Sequence, residues 1–373
     1  MRNSTIALLL IVAVTVGFSG AAPIRIFCVG NSITSYGYPS TLGTLLGARY
    51  DVSNQGVWGA TMLKKGDTPY WTTGSLIWIL NSSPDIVIIK LGTNDSKPQN
   101  WDAHGSEFPA DYVAMIDTFT HCASRPVVFI CLPCPVFIDV FGITGAVIAQ
   151  QIVPMVRSIA AQKDAPLIDL NTPFLYHPEL FSDGVHPTDQ GSDSLAHYVY
   201  RALARGPVYK RPVDSLLFAA GQSGNPAGRT VRLDNIGPSP VRAKVSVSNK
   251  AGWLAVTVAP IDSNRQELAH AVDPSKAPAA GGVYIDTVTI TTNGNPSRLR
   301  YPVTLVKGVT GVVPTAVRRQ AADAKNAILF DVRGNLISSH PALPSGSVRP
   351  GPKHKPGICL LKVDSSASLL IVP

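Results

Sequence analysis

The sequence predicts a parallel α/β domain followed by an all-β one, and three observations carry that prediction. Continuous β-branched runs alternate with helical periods as far as about residue 204. Beyond that point the helical period disappears, and short alternating runs are parted by turn residues. Charge divides at the same place: residues 1–200 hold 10 Lys+Arg against 15 Asp+Glu, and residues 201–373 hold 22 against 9. A chain of 373 residues is long for one core, which agrees with a division into domains.

The first element is not expected to join the fold. Arg2 precedes an apolar run over residues 6–16, and small residues follow at Ser19, Gly20, Ala21 and Ala22. This is the layout of a secretory signal peptide over residues 1–22, cleaved near Ala21 or Ala22. The run is shorter than the roughly 20 residues that span a bilayer, so the mature chain is expected to be exported, secreted or held at the cell surface, without a transmembrane segment.

The α/β domain is then expected over residues 23–205. "IRIFCV", "DIVIIKLG", "PVVFICL" and "APLIDL" read as strands, the second and third covered on both faces. Helical periods occupy residues 39–49, 111–122, 145–162 and 189–204. In open parallel sheets a ligand sits at the carboxyl ends of the strands. "RGPVYKRPVDS" is basic and Pro-rich and predicts a linker over residues 206–213. "VRAKVSVS", "WLAVTVAP", "VYIDTVTITT" and "LRYPVTLV" predict a β-sandwich over residues 214–307. A second linker is expected over 308–325. The alternating runs "AILFDVRGNLI", "GICLLKV" and "SLLIVP" predict a small β domain over 326–373.

The basic C-terminal half suits contact with acidic polysaccharide or an anionic cell surface, and equally an ordinary basic surface. Nucleic acid is not an expected partner, because an exported chain without a reader motif offers no recognition element. Five cysteines, Cys28, Cys122, Cys131, Cys134 and Cys359, leave at least one unpaired within the chain. Which of them pair in an oxidising compartment stays open. Cys131-Leu-Pro-Cys134 has redox-motif spacing, but Pro135 follows at once and no helix start is visible, so a thioredoxin-like role is not expected. No second Cys/His pair sits at ligand spacing, so neither a metal nor another cofactor is expected.

Four short blocks carry the chemistry: "GNSIT" at 30–34, "NQGVWGAT" at 54–61, "GTND" at 92–95 and "SDGVHP" at 182–187. They supply a hydroxyl, a flexible glycine loop, an amide, and a carboxylate three residues before an imidazole. Acyl transfer needs that set. A serine hydroxyl is a weak nucleophile that requires a base, usually His. A carboxylate fixes the histidine tautomer, and N–H donors stabilise the oxyanion.

In order and spacing the four blocks resemble those of the SGNH/GDSL hydrolase superfamily, over about residues 24–204. The resemblance implies a flavodoxin-like three-layer α/β/α sandwich. It implies Ser32 as nucleophile, His186 as general base and then acid, and Asp183 as the third triad member. The backbone N–H of Ser32, with Gly59 and Asn94, matches the oxyanion hole. "LKKGDTPYW" and "GTNDSKPQNW" resemble the sialate O-acetylesterase-like or carbohydrate acetylesterase branch, which implies an acetylated carbohydrate as substrate. Trp58, Tyr70, Trp71 and Trp101 lie in or beside loops flanking the blocks, where aromatic faces suit sugar rings and equally well fill a core. Trp58, Trp101 and Asp95 are the candidate substrate contacts, and for Asp95 a turn-stabilising role competes. His104, His121, His177 and His197 have no matched partner. "LLFAAGQSG" and "AGWLAVTVAP" resemble BACON-type immunoglobulin-like modules. "ILFDVRGNLI" with "KPGICLLKV" resembles the sorting domain of type IX secretion substrates. The expected function is a secreted serine esterase that removes acetyl groups from carbohydrate. A short-chain lipolytic esterase or lysophospholipase, and an inactive carbohydrate-binding or adhesion protein on the same scaffold, are the alternatives. No long apolar lid is visible, which counts against a long-chain lipase.

Overall fold

The computed structural model describes residues 22–220, 225–242, 244–278 and 282–307, together with the backbone of four strands between 326 and 372. The expected signal peptide, apart from Ala22, and the expected linker at 308–325 lie outside the described residues.

Five parallel strands form the first sheet: β1 (Ile24–Gly30), β2 (Tyr50–Gly56), β3 (Ile86–Lys90), β4 (Val127–Cys131) and β5 (Leu167–Ile168). Their spatial order is β2-β1-β3-β4-β5, and every neighbour pair is parallel. This is the flavodoxin-like order. The sheet reverses its direction of growth between β1 and β3, so a crevice opens at the carboxyl ends of those two strands.

Both faces of the sheet are covered, as the unbroken apolar strands require. Phe27, Val29, Val87, Ile89, Val128 and Ile130 face one layer. That layer holds α3 (Gly74–Asn81), α5 (Phe108–Thr120) and α7 (Val153–Lys163). Ile26, Cys28, Ile86, Ile88, Phe129 and Cys131 face the other, built on α2 (Tyr38–Leu46) and α8 (Asp189–Ala204). Short helices α1 (Ser32–Ser35), α4 (Pro98–His104) and α6 (Gly145–Val147) lie in the connections. A π turn at Ile148–Ile152 joins α6 to α7. No described helix is long and apolar enough to cross a membrane.

Seven strands make up the second region. They are β6 (Leu216–Ala220), β7 (Arg229–Asp234), β8 (Val245–Ser248), β9 (Leu254–Pro260), β10 (Arg265–Val272), β11 (Gly282–Thr292) and β12 (Arg298–Lys307). They form two sheets, β7-β10-β9 and β6-β12-β11-β8. Side chains from both sheets, among them Leu233, Leu268, Val288 and Val303, share one core, which makes a sandwich. Pairing is antiparallel except for β6 against β12. Beyond it β13 (Asn326–Asp331), β14 (Leu336–Pro341), β15 (Gly357–Val363) and β16 (Ser366–Val372) form an antiparallel sheet in the order β14-β13-β15-β16.

The expected linker at 206–213 is not a free tether. Val208 and Tyr209 are fully buried, and Val208 completes the core on the α2/α8 face beside Ile236. Ile236 donates its N–H to the Val208 carbonyl. Lys210 Nζ reaches Asp85 Oδ1 at 2.7 Å, and Tyr50 Oη donates to the Ile236 carbonyl at 3.2 Å. Pro and basic residues marked the stretch as a connection, but its apolar residues pack between the two regions.

Candidate active site

Ser32 stands one residue after the Gly30-Asn31 step that ends β1. Asn31 Oδ1 accepts the Ile33 N–H at 3.1 Å and caps the short turn that begins at Ser32. Ser32 Oγ lies 2.9 Å from His186 Nε2, and His186 Nδ1 lies 2.7 Å from Asp183 Oδ2. With Nδ1–H donated to the carboxylate, Nε2 is left to accept the Ser32 proton. The carboxylate is itself held: Asp183 Oδ1 accepts the N–H groups of Val185 at 2.9 Å and His186 at 2.7 Å. Partial burial pushes the Asp183 carboxyl up, but these backbone donors and the imidazole outweigh it and hold the group below the usual carboxylate range. Gly184 makes the tight Asp-to-His turn possible. Its φ is +84°, and a Cβ there would press into Ile138.

Gly59 and Asn94 stand on the loops after β2 and β3. Gly59 has φ +74°, the left-handed region that disfavours a side chain. Among the described residues nothing accepts the backbone N–H of Ser32 or of Gly59. Asn94 is buried, and its Nδ2 donates one hydrogen to the Ala60 carbonyl at 3.2 Å, which fixes the amide and leaves the second hydrogen. The loop is tied further by Asp95, which accepts the N–H groups of Met62 at 3.0 Å and Leu63 at 2.7 Å.

The structure corrects two of the expected substrate contacts. Asp95 is fully buried, and both carboxylate oxygens are taken by the backbone, so it holds the loop rather than a ligand. Burial pushes its carboxyl up to about 6 despite those donors. Trp101 is 8% exposed, packs edge-on against Phe108 and donates Nε1–H to Gln151 Oε1 in the π turn. It is a core residue. Tyr70 is fully buried as well, and Trp71 donates to the Met62 carbonyl while Lys64 covers its ring.

Trp58 lies at the site: it is 62% exposed, with its ring centroid 6.0 Å from that of His186. Sequence reasoning missed its two neighbours. Tyr36 stacks on the imidazole with centroids 5.0 Å apart and planes 27° apart, and it also touches Trp58. Phe141 lies 5.5 Å from His186 and is as exposed as Trp58. Tyr36 was detectable as the fourth residue after Ser32, one helical turn on. Phe141 comes from a connection remote in sequence, and its signal is conformational: φ is +57°, uncommon for a bulky residue, followed by Gly142 at +75°.

The buried thiols Cys28, Cys131 and Cys134 are not candidate nucleophiles. Cys28 is pushed up to about 12 by burial, and Cys131 and Cys134 are also raised chiefly by burial. A buried thiol held protonated is not a nucleophile. Among the described residues Cys28, Cys122, Cys131 and Cys134 form no disulfide; the Cys359 side chain lies outside them.

An α/β sandwich with a hydroxyl, an imidazole and a carboxylate in file at the carboxyl edge of the sheet has the layout of a serine-hydrolase domain. Residues 28–194 match the GDSL-like Lipase/Acylhydrolase family. Over 207 residues the chain is 36% identical to an acetylxylan esterase of Xylanibacter ruminicola, an alignment covering 48% of this chain and 43% of that protein. The chain thus spans less than half the length of that relative. Among solved structures, an aryl esterase of M. smegmatis is similar at 19% identity and a TM-score of 0.39, covering 48% of this chain and 98% of that one. A carbohydrate acetylesterase of Sinorhizobium meliloti is similar at 17% identity and a TM-score of 0.39, covering 47% and 95%.

Proposed function

We propose that the α/β domain is a serine esterase that removes O-acetyl groups from carbohydrate. The observation that carries this reading is the unbroken file from Ser32 Oγ through His186 to Asp183, beside N–H donors that no other described residue uses. His186 Nε2 takes the Ser32 proton as Oγ attacks the acetyl carbonyl. The oxyanion forms toward the N–H groups of Ser32 and Gly59 and the Asn94 amide. His186 then gives its proton to the departing sugar hydroxyl, leaving acetyl-Ser32. Water, deprotonated by His186, releases acetate and restores the serine. Asp183 keeps the imidazole in one tautomer and stabilises its charged form throughout.

The basic-then-apolar leader supports export of this enzyme, and the acetylxylan esterase relative makes acetylated xylan the first polysaccharide to test. The lipolytic reading keeps one supporting observation: Trp58, Ile138 and Phe141 are exposed and near His186 or its loop. Acyl-chain length separates the two. Each added methylene offers about 0.8 kcal/mol in an apolar channel, whereas a closed acetyl pocket rejects it. The expected order for p-nitrophenyl esters is acetate, then butyrate, then octanoate, with octanoate hardly turned over. A kcat/KM that climbs with chain length would favour the lipolytic reading. Ser32→Ala should lower activity at least 10³-fold, roughly the loss that follows removal of a nucleophile, and should abolish labelling by a fluorophosphonate. Retained activity or labelling would remove Ser32 from the mechanism, and a wild-type chain that neither labels nor turns over would be the inactive binding protein.

A further inference from the structure

The clefts that open away from Ser32 lie at the opposite end of the sheet. One, of about 240 Å³, is bounded by the residues just before β4 and β5, by the end of α7 and by the start of β12. Its charged lining is Arg125, Lys163, Arg211, Arg298, Arg300 and a single carboxylate, Asp164. A second, of about 370 Å³, shares Asp164, Ala165, Pro166 and Pro296 with it, so the two form one groove along the junction of the sandwich with the α/β domain.

Part of that charge is already committed. Arg125 and Arg211 pair with Asp214 at 2.8 Å, and Lys163 with Asp117 at 2.6 Å. Part is not. Arg298 is exposed and has no ion pair among the described residues, and Arg300 holds Asp164 only loosely at 3.6 Å. Two buried polar atoms at the cleft also have no partner among the described residues, Arg125 Nε and Tyr209 Oη. Tyr209 is fully buried. A buried donor with nothing to bond is costly, and such atoms at the wall of a cationic cleft fit a ligand that supplies acceptors.

We propose that this groove binds an anionic saccharide unit, a hexuronate within an oligosaccharide. The carboxylate would lie among the guanidinium groups, which match it bidentately. Asp164 would accept from sugar hydroxyls, the unpartnered Tyr209 hydroxyl at the wall would meet an acceptor, and the half-buried Pro296 offers apolar surface to the C–H face of the ring. That the anion is carried on a saccharide rests on the carbohydrate reading of the active site; the anion preference rests on the groove alone. A second, uncatalytic foothold of this kind would raise the local concentration of polymer around the esterase.

The test is calorimetric titration of the full chain with three probes: a xylo-oligosaccharide bearing a glucuronate, its neutral counterpart and inorganic phosphate. The glucuronate-bearing probe should bind at least about 10-fold tighter than either of the others and weaken as salt is raised. Tyr209→Phe, which keeps the packing, and Arg298→Glu, which changes an exposed residue, should each weaken it several-fold while hydrolysis of p-nitrophenyl acetate stays at the wild-type rate. Equal binding of the neutral probe, equal binding of phosphate, or indifference to both variants would overturn the proposal. Uronate binding by a chain without esterase activity would leave this site standing and remove the proposed function instead.

Discussion

At the scale of single residues, the proximity of Ser32, His186 and Asp183 was legible because their chemistry and short-range spacing constrain them. Asp183 and His186 are three residues apart, and one turn with Gly184 at φ +84° brings carboxylate to imidazole. What faces the imidazole was not legible, because Phe141 is brought to it by the fold across more than forty residues of chain. Tyr36 is the neighbour with a predictable consequence. Its ring stacks on His186, and in the proposed mechanism an aromatic face favours the imidazolium of the attack step by about 0.5–2 kcal/mol. Tyr36→Leu should therefore lower kcat on p-nitrophenyl acetate by roughly 3- to 20-fold with KM little changed, while Tyr36→Phe stays near wild type. A KM effect without a kcat effect would make Tyr36 a substrate contact instead of a positioning residue. The aromatic signal misled at Trp101 for a plain reason: an indole beside a motif looks the same in sequence whether it faces solvent or Phe108.

At the scale of elements, the loop after β2 depends on Asp95, whose buried carboxylate ties down Met62 and Leu63 and thereby the segment that carries Gly59. Burial raises this carboxyl from 3.8 to about 6 in the folded chain. Between those values the folded state holds a proton that the unfolded state has lost, so this group's contribution to stability declines as pH rises through about 4 to 6. Asp183 works in the opposite sense: its carboxyl is depressed, so its contribution is present above 3.8 and is lost as pH falls through the folded value. Comparing wild type with Asp95→Asn isolates the first effect. The difference in urea unfolding free energy should move in favour of the Asn variant by about 2–3 kcal/mol from pH 4 to pH 7. A difference that does not move with pH would mean that Asp95 titrates normally. Elements read correctly from sequence were those with a strong period or a continuous apolar run: β1, β3, β4, α5 and α8. β2 escaped notice because "YDVSNQG" is an edge strand, mostly polar and only half-buried, so its backbone pairing with β1 leaves no apolar alternation to detect. The short α4 escaped because seven residues of "PQNWDAH" present too little period.

At the scale of the whole molecule, the candidate active site and the junction with the sandwich occupy opposite ends of one sheet, so chemistry and stability should separate. Ser32, Asn94 and the His186 loop all lie within residues 23–205 at the carboxyl edge, and among the described residues none of their hydrogen bonds reaches the sandwich. Cutting after residue 205 removes other things. It strips Val208 and Ile236 from the core that holds Tyr50 and Leu203, and it removes Lys210 from Asp85 and the Tyr50 hydrogen bond to Ile236. Burying Val208 is worth about 1.5–3 kcal/mol, and the partly exposed ion pair adds at most about 1 kcal/mol. A fragment of residues 23–205 should therefore fold and hydrolyse p-nitrophenyl acetate with the kcat of the full chain. Its melting temperature should fall by roughly 5–10 °C, as a loss of a few kcal/mol implies for a domain of this size. Circular dichroism melts and initial rates on both proteins check the two halves of the statement independently. An unchanged melting temperature would mean that the junction contributes nothing to the α/β core. A folded but inactive fragment would mean that the sandwich supports the site from behind the sheet, through a path that the observed hydrogen bonds do not contain.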